Sequence, residues 1–567
     1  MRGEPRHQGT DASQGSRSRP TPATVVVTSG LLAAGLCIWQ LTLPGRLTGI
    51  TEYDDGVYLG AAIRLVSGAM PYRDFVFVQP PGIVLLTSPV ALLGRALGSV
   101  DALAMARIVT AVVTGLDAGL VAWLVRRRGR VAMAVAGGAL ATFPLAVTAD
   151  HTLMLGPYVV LFVLAGSVVA FGEDVPSTGR LALAGALVGV GGAVKLWAVF
   201  PFVALCACQL PRVRARVLPL VAGAAAGFCV VCLPFAVLAP RAFVHEVLVD
   251  QLGRSASALN GTSLGARLAA IAGLGTARAL PASPALTGAL LAGLGALLLV
   301  SYGLDRSAWQ KVDTYVVLAT LVSVAGLLAA PAFYSHYAYF AAPMLAAVFA
   351  VAVSGTVAGL RSALGRRPGG PRRAHTVGTL ALLCGAGLLA AVLAGDVSYD
   401  ETFLPATVRY ASGAILDPGA TIARVIPPGA CVVFDQPILT IEADRFSSSR
   451  PGCPQLVDPY GMWLADARGL SPPAPPPYAA AFVATWRSYL AAADYCVLSS
   501  PGSSYLPWDA SLTRWFDAHY TLVLARRAAC VYVHDRAGGG KSAAGPALTV
   551  DIVPAPDART PSYWSSP

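Results

Sequence analysis

The sequence predicts a polytopic α-helical membrane protein with about eleven transmembrane helices, followed by an extracytoplasmic α/β domain. Three observations carry this. The 567 residues are 55% hydrophobic and their mean hydropathy is +0.62, too apolar for a soluble globular chain. Only 13% of residues are Asp, Glu, Lys or Arg, and most of them fall between long apolar runs. Past residue 395 the spanning runs stop and the composition turns polar.

The elements follow in order. Arg2, Arg6, Arg17 and Arg19 precede an apolar run from about Ala23 to Leu43. No small-residue cleavage site follows it, which predicts an uncleaved anchor behind a cytoplasmic tail, residues 1–22. Cys37 follows Leu36 instead of a small residue, which excludes a lipoprotein site. Further runs lie near 102–125, 131–149, 153–171, 180–194, 196–210, 217–238, 285–303, 312–330, 337–353 and 375–395. The run 83–97 opens after Pro80-Pro81, contains Pro89 and ends near Arg95, so a helix lying on the membrane surface is expected. The membrane domain then covers 23–395, with an outer loop over 44–101.

The distribution of basic residues sets the orientation. With the N-terminus inside, nineteen Lys and Arg fall on the cytoplasmic side and eight in the outer loops before residue 396. An odd number of spans places the C-terminus outside. The first 395 residues carry a net charge of +14 and the remainder −3, so the basic character is topological and no nucleic-acid partner is indicated.

In the tail, Cys431–Phe434, Tyr495–Leu498 and Ala529–Val533 read as strands, and 479–493 as a helix. A small α/β domain over 396–536 is expected, with a disordered segment over 537–567. Cys431, Cys453, Cys496 and Cys530 all fall in this outer part, and their even number in an oxidising compartment predicts two disulfides. Three pairings are allowed. Sequence proximity favours Cys431 with Cys453 and Cys496 with Cys530.

The most informative stretch is residues 52–82, at the exit of the first span. Glu52, Asp54 and Asp55 crowd within four positions. Like charges that are also partly desolvated repel one another, so such a cluster is a candidate for proton transfer or metal binding. The plainer alternative is a solvated loop. Other polar residues gather on the same face: Asp150-His151 at a span end, Lys195 between two short runs, and His336-Tyr337 between two late spans. His245, Glu246, Asp250 and Gln251 open the loop after the run at 217–238. Singly, Lys195 reads as well as a snorkelling side chain and the tyrosines as an aromatic belt. Their common placement raises the group above its members. Asp117, inside a span, is expected to make a structural hydrogen bond.

The sequence Asp54-Asp55-Gly56-Val57-Tyr58, followed by Pro71-Tyr72-Arg73-Asp74 and Pro80-Pro81, resembles the GT-C glycosyltransferases, nearest to the protein O-mannosyltransferase and aminoarabinose lipid A transferase branches. The resemblance covers about residues 20–395 and implies a GT-C-like membrane domain, a polyprenyl-phosphate sugar donor and action on the outer membrane face. It makes Asp54 the catalytic acid, with Asp55 beside it. Asp150 is similar to a second family acid, Lys195 to a lysine between short helices, and Tyr337 with Pro343 to a late Tyr and Pro pattern. Gln79 stands where several relatives carry Lys, so the phosphate contact passes to Arg64, Arg73 or Lys195. Glu52, Tyr58, Asp74, His151 and His336 complete the candidate substrate-binding set.

The expected activity is therefore a hexosyl- or pentosyltransferase moving a sugar from polyprenyl phosphate to a glycan, lipid or protein acceptor. A cell-wall or lipid-linked glycan is favoured over protein. A direct displacement inverts the anomeric carbon, with Asp54 as base. No cofactor is required, no metal ligand is assigned, and a divalent metal at the acids is left open. The rival is a transporter or flippase of lipid-linked sugars. It predicts internal repeats with broken helix pairs, which the sequence does not display.

Overall fold

The computed structural model describes residues 21–43, 45–143, 152–253, 263–274, 283–304, 306–365, 418–466, 477–526 and 529–536. The helices of the first part are α1 (Pro22–Leu41), α2 (Tyr53–Val66), α3 (Gly82–Leu97), α4 (Ser99–Leu124), α5 (Arg130–Ala141), α6 (Leu155–Ala170), α7 (Thr178–Val194), α8 (Val199–Ala207), α9 (Leu218–Leu238), α10 (Leu264–Ile271), α11 (Pro284–Leu304), α12 (Lys311–Ala329) and α13 (Ala342–Gly365). Among the described residues, six segments are long and apolar enough to cross a membrane: α1, α4, the stretch Leu210–Leu238 that contains α9, α11, α12 and most of α13. Helices α3, α5, α6 and α7 are apolar but shorter, as is the stretch Leu196–Ala207 that contains α8. The expected span at 375–395 lies outside the described residues, and the count of eleven is not fixed by the rest.

These helices pack through small residues and turn large ones outward. Helix α7 packs on α9, and α1 on α4. Val230, Leu233, Val237 and Leu299 are exposed, as suits side chains that meet lipid instead of water. Helix α3 buries Ile83, Val84, Val90 and Ala91 and exposes Leu85, Leu86, Leu92, Leu93 and Leu97. Asp117 of α4 accepts a 2.9 Å hydrogen bond from the Tyr339 hydroxyl, the structural role expected of it.

The second part holds α14 (Pro418–Val425), α15 (Pro437–Glu442), α16 (Pro459–Asp466), α17 (Ala480–Ala492) and α18 (Ala510–His519). Its strands are β1 (Val432–Phe434), β2 (Tyr495–Leu498), β3 (Tyr520–Arg526) and β4 (Ala529–His534). They form one sheet in the order β1-β2-β4-β3, with β1 parallel to β2 and the other pairs antiparallel. Strand β3 is an addition to the sequence reading. It follows α18 directly, with no Gly or Pro to punctuate the change. The core runs without a break from α2 through α15 into the sheet.

Cys431 and Cys453 are joined by a disulfide with Cα atoms 5.5 Å apart. The second bridge expected from proximity is not formed: Cys496 and Cys530 are free and buried. The register explains this. Cys530 lies opposite Leu498, and Cys496 opposite Tyr532, so the two cysteines are diagonal neighbours across antiparallel strands. Diagonal positions lie about 7–8 Å apart, beyond the reach of an unstrained disulfide.

Candidate active site

The acidic end of α2 is built around an arginine that the sequence reading passed over. Arg107 of α4 is completely buried and pairs with Asp55, also completely buried, at 2.5 Å. Its guanidinium also donates to the carbonyls of Arg46 (2.8 Å), Leu47 (3.1 Å) and Gly49 (2.9 Å) and to the Thr51 hydroxyl (2.8 Å). Asp55 further accepts from the Thr51 hydroxyl and from the Leu153 backbone N–H. A buried ion pair is tolerated only when its donors and lone pairs are satisfied in this way. Arg107 therefore gathers the loop after α1 and fixes where α2 begins. The available signal was a lone arginine within an apolar run. Asp55 is thereby corrected from a catalytic candidate to the anchor of the helix, because both its oxygens are engaged away from solvent.

Asp54 is only partly buried. One turn along, the Tyr58 hydroxyl donates to it at 3.0 Å. Burial, followed by the charges of Asp54 and Tyr337, holds the Tyr58 hydroxyl well above its ordinary pKa, so it remains a donor. Glu52 precedes the helix and is pushed up to about 8, first by burial and then by Asp54 and Asp55. It keeps its proton at neutral pH. Both acids of the first turn sit at the positive end of the helix dipole.

A basic and aromatic group adjoins these acids. Lys195 ends α7 in an extended conformation. Its ammonium lies 3.8 Å from the ring centre of Trp197 and 4.1 Å from that of Tyr337, within cation–π range. Tyr337 meets Trp197 edge-on at 4.4 Å, and His336 stacks near Tyr334. Burial and the Lys195 charge push His336 down to about 3, so the imidazole is neutral. Tyr334 links this group to the start of α2: its ring meets Tyr337 at 5.3 Å, and its hydroxyl approaches that of Tyr460, whose backbone N–H donates to Tyr53.

Other expected residues are placed differently. Arg73 pairs with Asp74 at 2.7 Å, and Asp74 accepts from the Met70 backbone N–H at 2.7 Å, so the pair closes its own turn. Within that turn Tyr72 adopts a left-handed conformation and donates to the Gln79 carbonyl at 2.5 Å. Arg64 is buried, with its guanidinium 4.5 Å from the ring centre of Phe446. It thus faces the C-terminal part, because the helical spacing turns it onto the face of α2 opposite Arg107. Glu246 accepts from the Phe77 backbone N–H at 2.7 Å, and Gln251 donates to the Val78 carbonyl, which pins the segment after Asp74. Asp150 and His151 lie outside the described residues. Among the described residues, no group of three or more His, Cys, Asp or Glu is placed to hold a metal.

The C-terminal part completes the site, and no sequence motif announced it. The Tyr53 hydroxyl donates to Asp458 at 2.8 Å and accepts from the Tyr460 backbone N–H at 3.0 Å. Tyr53 and Tyr505 stack at 5.4 Å, and the Tyr334 and Tyr460 hydroxyls approach to 3.4 Å. These partners are more than 400 positions apart in the chain for Tyr53 with Asp458 and Tyr460, so periodicity and spacing carry no trace of them.

No protein-family model matches the sequence, and no curated protein matches it by sequence. Solved structures do match by fold. ArnT from Cupriavidus metallidurans in the apo state superposes with a TM-score of 0.54 at 16% identity, covering 90% of this chain and 98% of ArnT. The chain has a GT-C-like fold. The same ArnT bound to undecaprenyl phosphate gives a TM-score of 0.55 at 16% identity, over 91% and 99% of the two chains. The Archaeoglobus fulgidus oligosaccharyltransferase is similar with a TM-score of 0.49 at 13% identity, over 84% of this chain and 68% of its own. The protein is thus a multi-pass α-helical membrane protein whose GT-C-like architecture includes the C-terminal sheet.

Proposed function

We propose that the protein is a membrane glycosyltransferase that moves a sugar from a polyprenyl-phosphate donor to a hydroxyl of an extracytoplasmic acceptor, a cell-wall or lipid-linked glycan. The observation that carries this is the placement of Asp54: a partly exposed carboxylate at the start of a fixed helix, hydrogen-bonded to Tyr58, on a helix whose first residue is linked through Tyr460 and Tyr334 to the Lys195–Tyr337 pair. In the reaction, Asp54 takes the proton of the acceptor hydroxyl as its oxygen attacks the anomeric carbon. The bond from that carbon to the phosphate oxygen breaks, and polyprenyl phosphate leaves. The attack comes from the face opposite the leaving group and inverts the anomeric centre. Lys195 supports the leaving phosphate, since a cation near developing negative charge is worth most in a partly desolvated site. Arg73 is the second candidate for that contact, and Arg64 is turned elsewhere. The match to a structure of ArnT that holds undecaprenyl phosphate supports the choice of donor class.

The test is incubation of purified protein with polyprenyl-phosphate sugars, scoring released polyprenyl phosphate. Asp54→Asn keeps the shape and removes the base, and turnover is expected to fall by about 10²–10⁴-fold in a folded preparation. Lys195→Gln is expected to weaken the apparent affinity for donor more than that for acceptor. Wild-type turnover by Asp54→Asn overturns the assignment. Net movement of lipid-linked sugar across vesicles without cleavage favours the transporter reading.

A further inference from the structure

We infer that the C-terminal part positions the base of the proposed reaction, and that Tyr53 is the residue through which it does so. The inference rests on the glycosyltransferase reading for its catalytic consequence, and on geometry alone for the coupling. Helix α2 presents one stripe to the C-terminal part: positions 53, 56, 60 and 64, spaced by three, four and four residues. Every position on that stripe is engaged. At Gly56 a Cβ atom would stand 2.4 Å from the backbone nitrogen of Ile438, and at Gly60 it would stand 2.8 Å from the Phe446 ring. Arg64 covers the same ring and reaches the Leu456 carbonyl at 3.4 Å. The Ser99 backbone N–H donates to Asp444 at 2.8 Å, and the Ser99 hydroxyl to the Ile441 carbonyl at 2.6 Å, so the start of α4 is docked onto the same segment.

The stripe ends at Tyr53, the residue before Asp54. Its hydroxyl is a two-way clasp, donating to Asp458 while accepting from the Tyr460 N–H. Asp458 is itself buried and accepts from the Gly461 N–H at 2.8 Å, which caps the first turn of α16. The clasp thus joins the first turn of α2 to the first turn of α16. A shift of α16 or of the 437–458 segment is transmitted to the backbone that carries Asp54. Asp458 acts by accepting hydrogen bonds, and its charge is not the working feature. Tyr53 and Asp458 are therefore positioning residues, and neither takes part in the proton transfer.

The experiment is a mutant cycle on the full-length protein in detergent. The variants are Tyr53→Phe, Asp458→Ala, their double mutant and Asp458→Asn. Each is read both as melting temperature and as release of polyprenyl phosphate. An asparagine keeps an acceptor oxygen for Tyr53 and Gly461, so Asp458→Asn is expected to retain turnover within about twofold, the change left when hydrogen-bond geometry persists. Tyr53→Phe and Asp458→Ala are each expected to lower kcat by about 10- to 100-fold at unchanged donor KM, the scale of a small misplacement of a catalytic group. The double mutant is expected to be no worse than either single, because both remove the same bond. Loss of turnover in Asp458→Asn equal to that in Asp458→Ala overturns the inference, as does full additivity in the cycle. Absence of turnover by the wild type defeats the glycosyltransferase reading alone. The melting cycle then decides the coupling, with additive shifts refuting it and non-additive shifts sustaining it.

Discussion

On one side α2 is held by charge, and on the other by shape. Toward α4 the Asp55–Arg107 pair is completely buried and draws in three carbonyls and a hydroxyl. Toward the C-terminal part the contact is a stripe of two glycines pressed on Ile438 and Phe446, finished by the hydrogen bonds of Tyr53 and the stacked ring under Arg64. The charged side fixes where the helix starts, because an ion in a dry interior admits only the geometry that satisfies it. The shaped side fixes what lies against the helix, because a glycine stripe admits only a surface that fits at close range. Asp54 falls between the two in sequence and keeps an exposed edge. Acids within four consecutive positions therefore serve different ends: Asp55 in construction, Asp54 in the proposed chemistry, and Glu52 as a neutral neighbour.

The largest expected effect breaks the charged side. Arg107→Met leaves Asp55 buried without its partner, and stability is expected to fall by about 3–5 kcal/mol. Thermal unfolding in detergent measures this, and a melting point equal to the wild type would remove Arg107 from its place as anchor.

On the shaped side, the Cys431–Cys453 disulfide encloses α15, the helix that meets Gly56. Reducing a bridge across a loop of 22 residues is expected to cost about 3 kcal/mol in the chain-entropy account. Melting curves with and without reductant give the answer. Thiol labelling of the native, unreduced protein should leave the buried Cys496 and Cys530 unmodified.

A smaller effect is expected from Gly56→Ala. The new methyl meets the Ile438 backbone at 2.4 Å, and overpacking of this kind costs about 1–3 kcal/mol. Gly35→Ala in α1 is the control, since nothing lies within 4 Å of its added methyl. Equal melting points for the two variants would show that the stripe is not a tight contact.

A pH dependence gives a separate test of the acid cluster. Folded, Glu52 keeps its proton to about 8, whereas its unperturbed value is 4.5. Between those values the folded state holds one proton more than the unfolded state, so stability falls as pH rises through the window. The loss is complete above about pH 8. Glu52→Gln removes this slope, and its advantage over the wild type should grow from about pH 5 to about pH 9. Parallel melting profiles for the two proteins would refute a protonated Glu52.

Much of the architecture was legible because it repeats along the chain. Apolar runs, β-rich runs in the tail and the helix read near 479–493 are local patterns, and those that fall within the described residues each match an observed helix or strand. Strand β3 was missed because it continues from α18 without punctuation. The acid cluster was visible as three carboxylates at a span exit, but their roles were not, since burial and partners separate Asp54 from Asp55 and neither is a property of the local sequence. Arg107 was hidden in an apolar run. Arg64 and Arg73 were legible as charges only: Arg64 is buried against Phe446, and Arg73 pairs with Asp74 while its side chain stays exposed.

The sequence by itself determined a helical membrane chain with a polar α/β tail, and marked residues 52–58 as the place where charge is concentrated. Composition and periodicity suffice for this, because the hydrophobic effect acts on each segment separately. Only the tertiary structure decided which acid is buried by Arg107, which cysteines lie within bonding distance, and that Asp458 and Tyr460 clasp Tyr53 from more than 400 positions away. Those outcomes depend on which side chains share a dry volume, and the packing of distant segments sets that.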